Sequence, residues 1–305
     1  MLNKIVILKK NLSTPYFNGF ITGVVISSSV AALTFSLIFS YDSFNEWVTK
    51  RRAKYIFKYG LPIHPPNILT YKNHVLAYDA SRKIPFWVAE VITKDKIFGQ
   101  AKRDDNKFRP DPRVLQDFSA TNDDYKKSGW SRGHMSAAGN HKNNQQYMDE
   151  SFYLTNIVPQ DFVNNAKFWN KFEGFCRKLV LKYKEIRVIT GPIFLPNEFE
   201  NQKKFIKYEV IGENNVAVPT HLFKIILAED NINGDLHHAS FVVPNSPIPD
   251  DKELIDYLIP TRIIEKNVGY KFLNEKLLKS SNILDLCDKI VCRFRSRKKK
   301  TNDDI

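Results

Sequence analysis

Hydrophobic positions gather first near the N-terminus, where Phe17 to Tyr41 holds no charged residue and is filled by Phe20, Ile21, Val24, Val25, Leu33, Leu37 and Ile38 among others. A helix of that length spans a hydrocarbon layer of about 30 Å, so residues 17–41 are predicted to be a transmembrane anchor. Residues 1–16 carry Lys4, Lys9 and Lys10, with no acid before Asp42, which suits a mitochondrial targeting sequence and a secretory n-region alike. The apolar run exceeds a signal-peptide core and favours a retained anchor, with a cleaved presequence or secretory signal as the alternative. Lys50, Arg51 and Arg52 follow it, so both flanks are basic and the orientation is open.

Residues 42–70 mix charged and aromatic side chains without a clean period, and Pro62, Pro65 and Pro66 break any helix. They are expected to be a linker. A globular domain is expected over residues 71–275, with a short helical, basic tail at 276–305. Val75–Asp79 and Phe86–Thr93, separated by Ser81, Arg82, Lys83 and Pro85, predict two paired strands. A charged loop follows from Lys94 to Ser128, and Phe152–Val158 is a short β-type run. In Asn164–Tyr183 the residues Phe168, Phe172, Phe175, Leu179 and Tyr183 recur at three and four positions, the spacing of one helix face, with Asn164 as a natural N-cap. Ile186–Thr190, Ile206–Ile211, Val216–Ala228 and Ala239–Val243 predict further strands, the middle two joined by a Gly212-Glu213-Asn214-Asn215 turn. Blocks of strands with few helices indicate an α+β layer structure.

Composition adds a partner class. The 305 residues carry 46 lysines and arginines against 33 acids, a formal charge of +13, which favours nucleic acid or an anionic membrane surface. The three cysteines, Cys176, Cys287 and Cys292, are too few for a disulfide framework and lack zinc-site spacing; they are expected to be reduced and structural. His134 and His141 likewise lack a third ligand at zinc spacing, and His237-His238 borders a polar loop expected to be solvated. The run from Arg293 to Lys300 is a basic end that either adds phosphate affinity or only solubilises.

The chemistry concentrates in Gly129-Trp130-Ser131-Arg132-Gly133-His134-Met135, then in Phe152 to Gln160, then in Asn164-Asn165. These segments resemble the DNA/RNA non-specific nuclease family, over about Tyr71 to Phe272. Within it, Trp130 to Met135 and Val158-Pro159-Gln160-Asp161-Phe162 are most similar to the mitochondrial exo/endonuclease G branch. The resemblance implies a ββα-metal fold with a central antiparallel sheet flanked by helices. It implies His134 as the general base, since a neutral imidazole takes a proton near neutral pH. Asn165 is implied as the one protein ligand of Mg²⁺, or of Mn²⁺ in its place, with water and phosphate oxygens completing the shell. Asn164 beside it fits either a ligand or a helix cap. Glu173 and Arg177 stand four apart on one helix, the spacing of a surface ion pair. The family instead implies that Glu173 holds metal-bound water and that Arg177 holds phosphate. Arg132 and, more distantly, Arg103 are implied phosphate contacts, and Asn156 is implied to orient the site.

The same resemblance implies hydrolysis of DNA and RNA, an inner mitochondrial membrane location through the N-terminal helix, and a homodimer. Ser131 stands where most family members have aspartate, a departure shared with the mitochondrial branch. That branch's helical C-terminal wing is expected to be short or missing here, which leaves exonucleolytic and endonucleolytic modes both open. The competing expectation is a catalytically silent, membrane-anchored nucleic-acid-binding protein.

Overall fold

The computed structural model describes residues 48–56, 58, 68–196, 198–200, 202–230, 234–274 and 283–294. The expected targeting region and anchor at 1–41 therefore lie outside the described residues. Among the described residues no helix is long and apolar enough to cross a membrane. The chain divides into two compact units, Met1–Arg51 and Arg52–Ile305, and the second holds the sheet and all the candidate chemistry.

Part of the expected linker is regular structure: residues 48–56 are helical (α1) and Ile68–Thr70 forms strand β1. Tertiary contacts account for this where local pattern does not. Ile56 is buried, the Tyr55 hydroxyl donates to Glu185, and Lys58 Nζ donates to Glu229 at 2.8 Å. Strands β2 (His74–Asp79) and β3 (Ile84–Ile92) confirm the first predicted pair. The charged loop contains two short helices, α2 (Lys94–Ile97) and α3 (Asn122–Tyr125), the latter closed by a Thr121/Asp124 capping box. Strand β4 (Ser131–His134), helix α4 (Gln145–Glu150) and strand β5 (Ile157–Gln160) follow. The expected strand at Phe152 starts five residues late, because Leu154–Asn156 makes a 3₁₀ turn first.

Helix α5 is composite: Phe162–Asn164 and Asn170–Leu179 are α-helical, and Asn165–Trp169 between them is a π-turn. Its N-cap is Asp161, whose carboxylate accepts from Asn164 N at 2.7 Å, rather than Asn164 itself. Strands β6 (Glu185–Ile193), β7 (Glu198–Glu200), β8 (Lys203–Phe205), β9 (Val210–Ile211), β10 (Val216–Ala217), β11 (His221–Glu229) and β12 (Leu236–Pro244) come next. The predicted Ile206–Ile211 strand shrinks to two residues, with Ile206 and Tyr208 exposed. Val216–Ala228 is broken at Pro219, which has no N–H to offer a ladder. The Gly212–Asn215 turn does join β9 to β10, with Gly212 at φ 66° packed so closely on Asp124 that a Cβ would sit 2.2 Å from its Oδ1. Helix α6 (Thr261–Val268), strand β13 (Ile283–Asp285) and helix α7 (Leu286–Lys289) end the described chain.

Seven strands form the main sheet in the order β1-β2-β3-β6-β11-β12-β13. All neighbours are antiparallel except β12 and β13, which are parallel, so the sheet is mixed rather than wholly antiparallel. A long connection through α6 permits that, since parallel strands need a crossover. Both faces are covered. Leu76, Val88, Val188, Leu222 and Ile226 pack towards Trp169, Phe172, Cys176 and Leu179 of α5. Alternate residues such as Ala77, Trp87, Ile189, Phe223 and Ile225 pack with Ile264 and Phe272 on the opposite face, the two-residue period of a sheet buried on both sides.

One expectation fails for a reason visible only in three dimensions. Cys287 and Cys292 are bonded to each other, with Cα atoms 5.3 Å apart across the turn of α7, while Cys176 is free and buried. His237 is 1% exposed, because β12 already begins at Leu236 and carries it under the Tyr183 ring at 5.2 Å.

Candidate active site

Strand β4 lies outside the main sheet, paired only with β5, with Ser131 opposite Gln160 and His134 opposite Ile157. Gly133 permits the pairing: a Cβ there would lie 2.1 Å from Gln160 Oε1 and 2.7 Å from its Cβ. His134, 6% exposed, sits between the rings of Phe108 and Phe152 at centroid distances of 5.2 and 4.8 Å. Burial, then the positive charge of Arg103, then His141, hold its pKa down to about 3. The imidazole is therefore neutral at physiological pH. Its Nε2 is buried without a hydrogen-bond partner, which leaves Nδ1 as the nitrogen that meets solvent.

Helix α5 supplies the oxygen and guanidinium groups. Asn164 is 1% exposed and fully committed: its Oδ1 accepts from Gln160 Nε2 at 2.9 Å, and its Nδ2 donates to the carbonyls of Pro244 and Ser246. Asn165 is half-buried, and its Nδ2 donates to Ser131 Oγ at 3.0 Å, so strand β4 fixes the amide plane and the carbonyl oxygen stays uncommitted. Residues eight apart on an unbroken α-helix lie about 80° from each other around the axis. The π-turn over Asn165–Trp169 winds more widely than an α-turn, which reduces that offset between Asn165 and Glu173. Glu173 is half-buried 3.8 Å from Arg177, and burial raises its carboxyl pKa against the pull of Lys224, Arg177 and Arg103. Arg177 NH1 also donates to Asn140 Oδ1 at 3.2 Å.

The Arg103 charge acts on both His134 and Glu173, so a loop, a strand and a helix place these three groups in one electrostatic neighbourhood. Asn156 is fully buried beneath the base, where its Oδ1 accepts from Ser136 N at 2.9 Å and its Nδ2 donates to the carbonyls of Ser136 and Ser151. Arg132 turns aside: its NH2 donates to the Asn122 carbonyl at 2.9 Å, and its guanidinium lies over Phe108 and Tyr125. With Arg103, Lys126 and Lys127 it lines a groove of about 480 Å³ that also holds Trp130, Ser131 and the exposed Phe162. A larger groove of about 1210 Å³, between Lys171, Phe175 and Lys178 and the Cys287–Cys292 segment, contains none of these site residues.

The donor set suits a hard divalent cation. An amide oxygen at Asn165 is a ligand Mg²⁺ takes, and a carboxylate at Glu173 would hold water bound to the ion, with water and substrate completing the octahedron. Among the described residues no group of three His, Cys, Asp or Glu stands close enough to cage an ion. Glu90, Ser136, Asn140 and Lys224, not singled out in the sequence, and His141, set aside there as a zinc ligand, lie buried behind the site. The signal was present as charged residues inside apolar strands: Glu90 within Val88 to Ile92, and Lys224 within Leu222 to Leu227.

Comparison with known proteins gives a consistent set of likenesses. The family profile described as "DNA/RNA non-specific endonuclease" matches residues 52–278. The "Nuclease EXOG, mitochondrial" of Danio rerio is 40% identical over 283 residues, 92% of this chain and 80% of its own length. The Homo sapiens "Endonuclease G, mitochondrial" is 37% identical over 226 residues, 74% of this chain and 75% of its own. Among solved structures, a chain of the "Crystal structure of the EndoG/EndoGI complex: Mechanism of EndoG inhibition" superposes with a TM-score of 0.71 at 37% identity, covering 74% of this chain and 94% of that one.

Proposed function

Because the chain belongs to the DNA/RNA non-specific endonuclease family, we propose that it is a mitochondrial nuclease that hydrolyses phosphodiester bonds of DNA and RNA with Mg²⁺, or Mn²⁺ in its place. The observation that carries this reading is one strand serving two roles: β4 ends in the neutral, buried His134, and its Ser131 fixes the amide of Asn165.

His134 Nδ1 takes a proton from the attacking water, a role open to an imidazole that is neutral before reaction. Asn165 Oδ1 and Glu173 hold the cation and its water; when bound, the ion neutralises charge developing on the phosphate. Arg177 has guanidinium N–H groups beyond those facing Asn140 and Glu173, and these hold the phosphate or the leaving oxygen. Arg103, Lys126, Lys127 and Arg132 line the groove beside β4 and attract the sugar-phosphate backbone, with salt-sensitive affinity. Asn156 keeps the segment after the base in place through three hydrogen bonds.

The test is cleavage of plasmid DNA with Mg²⁺ by the chain and by His134→Ala. The variant is expected to lose nicking by at least about 100-fold while filter-binding affinity changes little. A wild-type chain that binds DNA but never cleaves it would instead mark a nucleic-acid-binding protein. Attachment to the inner mitochondrial membrane through residues 17–41, and homodimerisation, belong to the same proposal. Release from mitochondria by alkaline carbonate, or a monomer at micromolar concentration in sedimentation, would argue against each in turn.

A further inference from the structure

Strand β3 reads Val88-Ala89-Glu90-Val91-Ile92, and the parity that sends Val88 and Ile92 towards α5 sends Glu90 the same way. The carboxylate is 3% exposed. A charge so placed is destabilising unless it is fully hydrogen-bonded. Here each oxygen accepts one bond, Asn140 Nδ2 donating to Oε1 at 3.0 Å and Ser136 Oγ to Oε2 at 2.9 Å, and burial still raises the carboxyl pKa against these donors. Lys224, 3% exposed on β11 and held by Thr190 Oγ1 at 2.7 Å, supplies opposing charge from the same face of the sheet.

Each of the two donors leads to a group of the site. Asn140 uses its Oδ1 to accept from Arg177 NH1 at 3.2 Å, so the guanidinium is aimed from Glu90 through one amide. Ser136 stands two residues beyond His134; its N–H is held by Asn156, and its hydroxyl accepts from His141 Nε2 at 2.9 Å. His141 is fixed in turn by Asn73, whose Nδ2 donates to Nδ1 at 3.0 Å. The base comes from β4 and the guanidinium from α5, and no described hydrogen bond joins them directly. Their common buried point is the Glu90 carboxylate, rooted in the central sheet.

We propose that Glu90 is a positioning residue for phosphodiester cleavage, setting the His134 segment through Ser136 and the Arg177 guanidinium through Asn140. The inference rests on the nuclease reading above. Glutamine keeps the size of the side chain but not its two acceptors. Its amide can satisfy Asn140 with its oxygen, but its nitrogen then meets the Ser136 hydroxyl, which already accepts from His141. Either the Ser136 proton then loses its acceptor, or the Ser136–His141–Asn73 chain reverses against the Asn73 donor.

The experiment measures kcat and KM for a duplex oligonucleotide with the full chain, as wild type, Glu90→Gln, Asn140→Ala, Arg177→Ala and Asn140→Ala/Arg177→Ala, with thermal melts of each. Glu90→Gln is expected to lower kcat by about 10–100-fold with KM within about 3-fold of wild type, the signature of misplaced groups rather than lost substrate affinity. Asn140→Ala is expected to lower kcat about 10-fold in wild type but less than about 2-fold in Arg177→Ala, since its effect travels through that side chain. Equal losses from Asn140→Ala in both backgrounds, or a folded Glu90→Gln with wild-type kcat, would overturn the proposal. Should Glu90→Gln fail to fold, Ser136→Ala, which removes the hydroxyl donor to Glu90 Oε2, takes its place and is expected to lower kcat by about 10-fold with KM little changed, wild-type kcat overturning the proposal. A wild-type chain without activity would instead refute the nuclease reading, and the two failures are thereby distinct.

Discussion

Replacing His141 by glutamine should flatten the acid limb of the stability curve, because this histidine is built to remain uncharged. The side chain is 1% exposed, accepts from Asn73 on one ring nitrogen and donates to Ser136 with the other. A second proton would face the Asn73 amide. Burial, with Lys96 nearby, pushes its pKa down to about 3, so the Glu90 carboxylate 3.8 Å away meets a neutral ring at physiological pH. In the unfolded chain the ring titrates near 6.5. A folded pKa below the unfolded one means that the unfolded state takes up the proton first. The stability this group contributes is thus complete above about pH 6.5 and lost as the pH falls towards 3. Between pH 7.5 and 5 the loss amounts to about 2 kcal/mol, or about 0.7 M in a urea midpoint at an m-value of about 3 kcal/mol/M. Glutamine preserves a donor near Ser136 and removes the titration. Urea unfolding followed through the four tryptophans at both pH values provides the assay. The variant is expected to be less stable at pH 7.5 by about 1 kcal/mol for the lost Asn73 contact, yet to lose about 0.7 M less on acidification than wild type. Equal midpoint losses on acidification would show that His141 titrates normally in the folded chain and would refute the argument.

Further outcomes follow from the site geometry. Gly133→Ala forces a methyl group to 2.1 Å from Gln160 Oε1, so it should part β4 from β5 and cut cleavage by at least about 100-fold with a lower melting temperature; normal activity would show that the hairpin adjusts. Asn165→Ala should raise the Mg²⁺ concentration for half-maximal cleavage by about 10-fold or more, and chelation by EDTA should stop cleavage in wild type, both read from nicking against added metal. Asp161→Ala removes the cap bonded to Asn164 N and should lower stability by about 1 kcal/mol in urea unfolding with a smaller effect on substrate binding; an unchanged midpoint would indicate that the first turn is held by Asn164 alone.

Residues that act through their own chemistry or through local repetition were legible in the chain. The three- and four-residue spacing of Phe168, Phe172 and Phe175, the Gly212–Asn215 turn and the alternation in β2 and β3 reflect short-range sterics and burial. The segment from Trp130 to Met135 carried its family likeness into the match over residues 52–278. What could not be read was long-range. The resemblance named Asn165, but the commitment of the neighbouring Asn164 amide shows only in its bonds to Pro244 and Ser246, about 80 positions away. The π-turn that reduces the offset between Asn165 and Glu173 leaves the apolar spacing of α5 nearly unchanged. The Cys287–Cys292 bond depends on the path of one turn. Sequence thus determined most of the elements and the family likeness, because these depend on neighbours a few positions apart. Only the tertiary structure decided how the side chains of the site are aimed, because Glu90, Ser136, Asn140 and Arg177 meet from β3, the segment between β4 and α4, and α5, and a hydrogen bond between residues 50 positions apart leaves no local trace.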